Sequence, residues 1–263
     1  MFTQNVVALL RDVPDSMGDC ELTWQQRATI DIDLARQQHR AYAQALRDAG
    51  LQVVRLPADP AFPDCNFVED IAMDVGGVLI LTSPGADSRR GERPAVLEAL
   101  RTVGDVIQMP DDMRLDGGDV IHVRNTLFVG LSKRSGRAAM DWLEHTTGCR
   151  VVGVELDRVL HLKTGMTALD EDTLLCAPGA VDTTVFSDFD VLETEVGDEH
   201  AANALRLPPR EPGDRRLLMS GGFTRTIDRV RGLGYEVSEV DISQFALAEA
   251  SMTCMSVLLG ARW

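Results

Sequence analysis

Five polar residues of this sequence recur at nearly constant spacing and carry groups that could do chemistry together. They are Asp70 in FVEDIAM, Asp116 in LDGGDVI, His161 in VLHLKTGM, Asn203 in AANALRL and Cys254 in MTCMSVLL, separated by 46, 45, 42 and 51 residues. Taken alone, none is persuasive. A histidine after two apolar residues reads as a satisfied core residue, a cysteine in an apolar strand as an inert thiol, and Asp70 and Asp116 as turn formers. Together they offer a thiolate nucleophile, an imidazole able to give and take a proton, and two carboxylates. The carboxylates lack the companion ligands a metal would need, and a glycosidase has no use for the thiol. They suit a planar cation, whose N–H groups they can accept in bidentate fashion while holding its carbon over the sulfur.

Groups so spaced converge only if the chain repeats one structural unit. Four helical patterns end near a glycine and run directly into a strand: LRDAGLQVVRLP, LRTVGDVIQMP, LEHTTGCRVVGVEL and VRGLGYEVSEVD. Their glycines, Gly50, Gly104, Gly148 and Gly234, suit the left-handed position just past a helix end. The spacings of 54, 44 and 86 leave room for one weaker unit near position 191, where DFDVLETEV reads as a strand without a clear helix before it. Ahead of the helices lie paired β segments with turns at Val75-Gly76-Gly77, Arg124-Asn125 and Asp170-Glu171-Asp172, which read as hairpins. The pattern predicts about five ββαβ units in a single α/β domain, 1–263. The ring would close by pairing SMTCMSVLLG with the N-terminal NVVALLRD. A doubly wound sheet is the competing architecture. Each polar residue is placed where it opens the first hairpin strand of its unit.

Composition narrows the partners. The 263 residues carry a net charge of −15, which excludes the basic face a nucleic acid or an anionic membrane would require and mildly favours a cationic small molecule. No apolar run spans a bilayer, and Met1 to Leu10 lacks the features of a signal peptide, so a cytoplasmic location is expected. The five cysteines, Cys20, Cys65, Cys149, Cys176 and Cys254, are odd in number and scattered, without zinc-finger or disulfide-framework spacing.

At these residues the sequence resembles the dimethylarginine dimethylaminohydrolases of the guanidino-modifying (pentein) superfamily. The likeness runs through FPDCNFVED, PGADSRRGE, LDGGDV, GLSKRSG, LHLKTG, AANAL and TCMSV. It implies a five-fold pseudo-symmetric α/β propeller, hydrolysis of Nω-methylated arginine to citrulline and an amine, and no obligatory cofactor. By the same resemblance Cys254 is the nucleophile and His161 the general acid/base. Asp70 grips the guanidinium, and Asp116 is a second grip or orients His161. Arg89 and Arg134 hold the substrate carboxylate, Asp64 and Glu69 contact its amino-acid end, Leu22 closes as a lid, and Ala248 offers a backbone carbonyl. The match is weakest over the lid, Asp12 to Gln26. The machinery would equally serve Nω-hydroxyarginine or arginine, and a non-catalytic propeller scaffold is the alternative from another class. The protein is expected as a monomer or homodimer.

Overall fold

The computed structural model describes residues 6–262; the outer ends of the expected 1–263 domain, including Asn5 of the N-terminal segment, lie outside the described residues. The strands, in chain order, are β1 (Val7–Arg11), β2 (Gln52–Leu56), β3 (Ala72–Val75), β4 (Val78–Leu81), β5 (Val106–Gln108), β6 (Val120–Val123), β7 (Thr126–Leu131), β8 (Arg150–Glu155), β9 (Met166–Ala168), β10 (Thr173–Cys176), β11 (Asp190–Glu193), β12 (Leu205–Leu207), β13 (Arg216–Ser220), β14 (Glu236–Val240) and β15 (Val257–Leu259). Among the described residues they form five separate three-stranded sheets, ordered β15-β1-β2, β3-β4-β5, β6-β7-β8, β9-β10-β11 and β12-β13-β14. One continuous doubly wound sheet is thereby ruled out.

Every sheet has the same grammar. The first strand pairs antiparallel with the second, and the third lies parallel to it after a crossover. Parallel pairing demands such a crossover, and helices supply it. These are α1 (Ile32–Asp48), α2 (Arg93–Arg101), α3 (Arg137–Thr147) and, in the fifth unit, α5 (Thr224–Gly232); two short helices, α4 (Leu162–Gly165) and α6 (Ser243–Ala246), complete the set. In the fourth unit only a 3-10 turn, Thr183–Phe186, precedes β11, as the weak pattern there anticipated. The middle strands β4, β10 and β13 read VLIL, TLLC and RLLMS and are almost wholly buried, as strands covered on both faces must be.

Helix α1 shows how the sequence fixes an element. Asp31 caps it by accepting from Leu34 N at 3.0 Å, and Ala35, Gln38, His39, Tyr42, Ala43 and Leu46 form its buried stripe at helical spacing. Burying a side chain such as Leu46 contributes about 1.5–3 kcal/mol. At Gly50, Gly148 and Gly234 the backbone adopts φ of +92°, +70° and +89°, the left-handed conformation expected past a helix end. Gly104 does not. It lies beyond a turn closed by Val103 N and Gly104 N on Leu100 O, with no positive φ. The hairpins close where expected: Val75 pairs with Val78 around Gly76-Gly77, and Val123 with Thr126 around Arg124-Asn125. Finally, β15 pairs with β1, Val7 opposite Leu259, so the C-terminal strand completes the sheet of the N-terminal one.

Candidate active site

The five repeat-phased residues do not open strands. Each lies in a short helical turn or at its edge, two to five positions ahead of the first strand of its unit. Asp70 ends the turn Val68–Asp70, and Asp116 precedes Gly117–Asp119. His161 caps α4, Asn203 follows Glu199–Ala202, and Cys254 is the middle of Thr253–Met255. The turn matters chemically. It aims backbone N–H groups and side chains at one another across neighbouring units rather than along a sheet.

His161 is the hub. Its Nε2 lies 3.1 Å from Asp116 Oδ2 and its Nδ1 3.8 Å from Asp70 Oδ1. Asp116 is fully buried, with Oδ1 accepting from Gly85 N at 2.7 Å, so it orients the imidazole from behind and does not face the cavity. Asp119, which sequence reasoning passed over, fixes the same turn. Its Oδ1 accepts from Leu162 N at 3.0 Å, and its Oδ2 from Ser132 and Ser135 hydroxyls at 2.7 and 2.6 Å. Burial pulls the imidazolium pKa down, but Asp70, Asp119 and Asp116 more than offset this and raise it to about 10. The imidazole is therefore a cation at neutral pH, against the near-6.5 value of a free side chain.

Asp70 feels burial in the opposite sense, yet His161, Arg89 and the Gly118 amide hold its carboxyl below the usual range. The close approach is possible because two glycines make room. A Cβ on Gly118 would come within 2.8 Å of His161 Nδ1 and 2.9 Å of Asp70 Oδ1, and one on Gly117 would overlap Glu69 O at 2.0 Å. Cys254 sits opposite. Its Sγ accepts from Ser251 N at 3.3 Å, and burial together with Glu69 and Asp70 pushes the thiol pKa well up. Without a ligand the sulfur is thus a neutral thiol. The other four cysteines are buried, and among the described residues none is in a disulfide.

A small cavity of about 30 Å³ is lined by Cys254, His161, Asp70, Asp64, Arg89, Arg134 and Ala248, together with Glu21 and Glu249. Larger cavities lie elsewhere, one of about 460 Å³ bordered by His122 and Cys149 but by none of the five repeat-phased residues. The one of about 170 Å³ lies behind the site and is bordered by Glu69, Lys163 and Thr253. Three expected residues do not line the small cavity. Glu69 engages Lys163 Nζ and Thr253 Oγ1, each at 2.7 Å, bracing the histidine turn against the cysteine turn instead of facing a ligand. Asn203 adds to this brace, donating to Lys163 O and Thr253 Oγ1 and accepting from Thr253 N. Leu22 packs against the apolar core, and Asp116 stands behind His161.

The two arginines differ. Arg89 is buried and held by Asp70 at 2.5 Å, by both oxygens of Glu92, and by the carbonyls of Asp64 and Phe67. Its first task is to fix Asp70. Arg134 instead meets Glu21, whose Oε2 lies 2.7 Å from Nη2. Asp64 accepts from Glu21 N and is pushed up by burial. Asp70, Asp116 and His161 offer donor atoms within 4.8 Å of one another, the spacing of a metal site. Every one of those side chains is already engaged: His161 by Asp116, Asp70 by Arg89, Asp116 by Gly85. The group reads as a proton-holding cluster.

The chain is similar to known proteins in sequence and in fold. The family model for eukaryotic N,N dimethylarginine dimethylhydrolase matches residues 16–196. The N(G),N(G)-dimethylarginine dimethylaminohydrolase of Streptomyces coelicolor is 34% identical over 257 residues, 96% of each chain. That of Pseudomonas aeruginosa is 33% identical over 241 residues, 90% of this chain and 92% of the relative. A solved structure of the Pseudomonas aeruginosa protein, a cysteine-to-serine variant complexed with citrulline, superposes with a TM-score of 0.89 at 30% identity, covering 96% of this chain and 98% of that one. With the match spread over nearly the whole length and the backbone following the same course, the chain belongs to the dimethylarginine dimethylaminohydrolase family.

Proposed function

We propose that the protein hydrolyses Nω-methylated arginine to citrulline and methylamine or dimethylamine, with Cys254 as nucleophile and His161 as proton carrier. The observation that carries this is the cavity itself, where a thiol, a cationic imidazole, the Asp70 carboxylate and the Arg134 guanidinium face one small space. Asp70 accepts the substrate's guanidinium N–H groups, and Arg134 takes its carboxylate. Asp64 receives the ammonium end, and the Ala248 backbone borders the alkylated nitrogens.

The charge state dictates the order of events. A guanidinium entering beside Cys254 offsets the carboxylates that keep its proton on, so the thiol ionises and releases that proton to solvent. The thiolate attacks the guanidinium carbon, forming a C–S bond and a tetrahedral adduct. His161, already protonated, gives its proton to the alkylated nitrogen as the C–N bond breaks, and the amine departs from an S-alkylthiouronium. Neutral His161 then takes a proton from water. The hydroxide adds to the same carbon, and the sulfur is expelled as the ureido C=O forms. The adduct's hydroxyl proton returns to sulfur, and His161 is again a cation. No cofactor enters this cycle.

The same reading takes the five sheets as blades of a five-fold pseudo-symmetric α/β propeller in one domain, residues 1–263. It is supported by the shared strand grammar and the β1–β15 pairing. The protein would work in the cytoplasm as a monomer or homodimer, without nucleic acid or membrane. No helix among the described residues is long and apolar enough to cross a membrane. Mass analysis of products after incubation with arginine, mono- and dimethylarginines and hydroxyarginine tests the substrate. Citrulline with dimethylamine or methylamine is expected, and preferential turnover of unmethylated arginine would overturn the assignment.

A further inference from the structure

The small cavity lined by Cys254, His161 and Asp70 is bordered on one side by Glu21. Glu21 begins the largely exposed segment 21–25, and one side chain holds that segment beside the cavity. The Glu249 carboxylate accepts three successive backbone N–H groups: Thr23 N at 2.9 Å, Trp24 N at 2.6 Å and Gln25 N at 2.5 Å. Consecutive amides converging on one anion form a nest, a strong and orientation-specific grip. Gln25 Nε2 adds a bond to Ala246 O on the same loop.

The backbone of Glu249 is unusual as well. Its φ of +57° is one of two positive values among the described non-glycine residues, and no tight two-residue hairpin demands it. Such a conformation persists in a side-chain-bearing residue only where its surroundings impose it. Here Ala250 N is bonded to Phe245 O and Glu249 N to Ala246 O, so the loop turns sharply between Ala248, at the cavity wall, and Ser251, whose N–H meets Cys254 Sγ. One residue thereby joins the cover of the site to the loop that carries its nucleophile.

We propose that Glu249 is a positioning residue, a latch whose carboxylate sets the balance between the closed and open states of segment 21–25 and hence the affinity for substrate. This rests on the arginine-derivative reading of the site for its kinetic part only. In the closed state the latch holds the segment beside the cavity. Substrate entry breaks its three bonds, and reclosure over the bound molecule remakes them, so loosening the latch weakens binding more than it slows chemistry.

The test compares Glu249→Gly with Glu249→Gln. Glycine accepts the positive φ without strain and removes only the grip, so the variant folds; glutamine keeps length and loses charge. Two readouts are needed. In the ligand-free protein, tryptic cleavage at Arg27 and acrylamide quenching of Trp24, an exposed lid residue, report closure directly, with a Trp24→Phe protein as the fluorescence control. With dimethylarginine, KM and kcat are measured separately. Glu249→Gly is expected to raise cleavage several-fold, to raise quenching of the already exposed Trp24 by less, and to raise KM several-fold with a smaller change in kcat, with Glu249→Gln between it and wild type. Unchanged lid exposure in Glu249→Gly overturns the latch whatever the kinetics. An equal fall of kcat and kcat/KM with unchanged KM also overturns it, because the residue then acts on chemistry. A wild-type protein inert toward dimethylarginine refutes the substrate reading, while the lid exposure still decides the latch.

Discussion

His161 is pulled between burial, which disfavours its charge, and three carboxylates, which favour it, and the carboxylates win. Two predictions belong at this scale. Cys254→Ser and His161→Gly each abolish turnover while circular dichroism shows a retained fold; residual activity in the serine variant would remove the thiol from the mechanism. Stability should also carry the imprint of His161. A folded pKa raised from 6.5 to about 10 contributes stability that is full below about 6.5 and is lost as pH rises through about 10. The melting-temperature gap between wild type and His161→Gly should therefore narrow across that window, and a widening gap would contradict the ion cluster. The sequence made the repeat-phased residues legible because the spacing singled them out. It hid Asp119, Glu21 and Glu249, whose roles lie in contacts with partners far along the chain, such as Glu21 with Arg134 and Glu249 with Thr23. Glu69 was legible as a residue of the motif but not as a brace, since only the fold shows that Lys163 and Thr253 reach it first.

At the scale of elements, what positions the chemistry is the turn before each first strand. Hydrophobic alternation reveals strands and helices well, and it located all five units, including the one without a helix. Three-residue turns have no period, so the offset from strand to turn could not be read. The Gly117-Gly118 pair illustrates the limit. It follows Asp116, which read alone as a turn former, whereas the structure requires the pair because Glu69, Asp70 and His161 crowd the space a side chain would fill. Gly118→Ala should displace His161 from Asp70 and lower kcat by about 100-fold, the scale of a misplacement near 1 Å. Gly136→Ala, where nothing lies within 4 Å of an added Cβ, should leave kcat unchanged and serves as the control. Asp119→Asn keeps the shape but weakens the hold on Leu162 N, and denaturant unfolding should show a loss of about 1–3 kcal/mol.

For the whole molecule, the net charge of −15 told more about partners than about architecture, and the acidic balance agrees with a cationic ligand without selecting it. The joining of the chain's two ends in one sheet was legible from two apolar segments. It has a consequence for the order of assembly. Four sheets are built from segments close in sequence, and their strands can pair while the rest of the chain is still being made. The first sheet cannot. Val7 waits for Leu259, roughly 250 positions away, and contacts of such separation form late. The cysteine turn ends at Met255, just ahead of that last strand. During synthesis His161 and Asp70 can be in place before Cys254 reaches them, so the thiol is delivered to a charged cluster that has already formed.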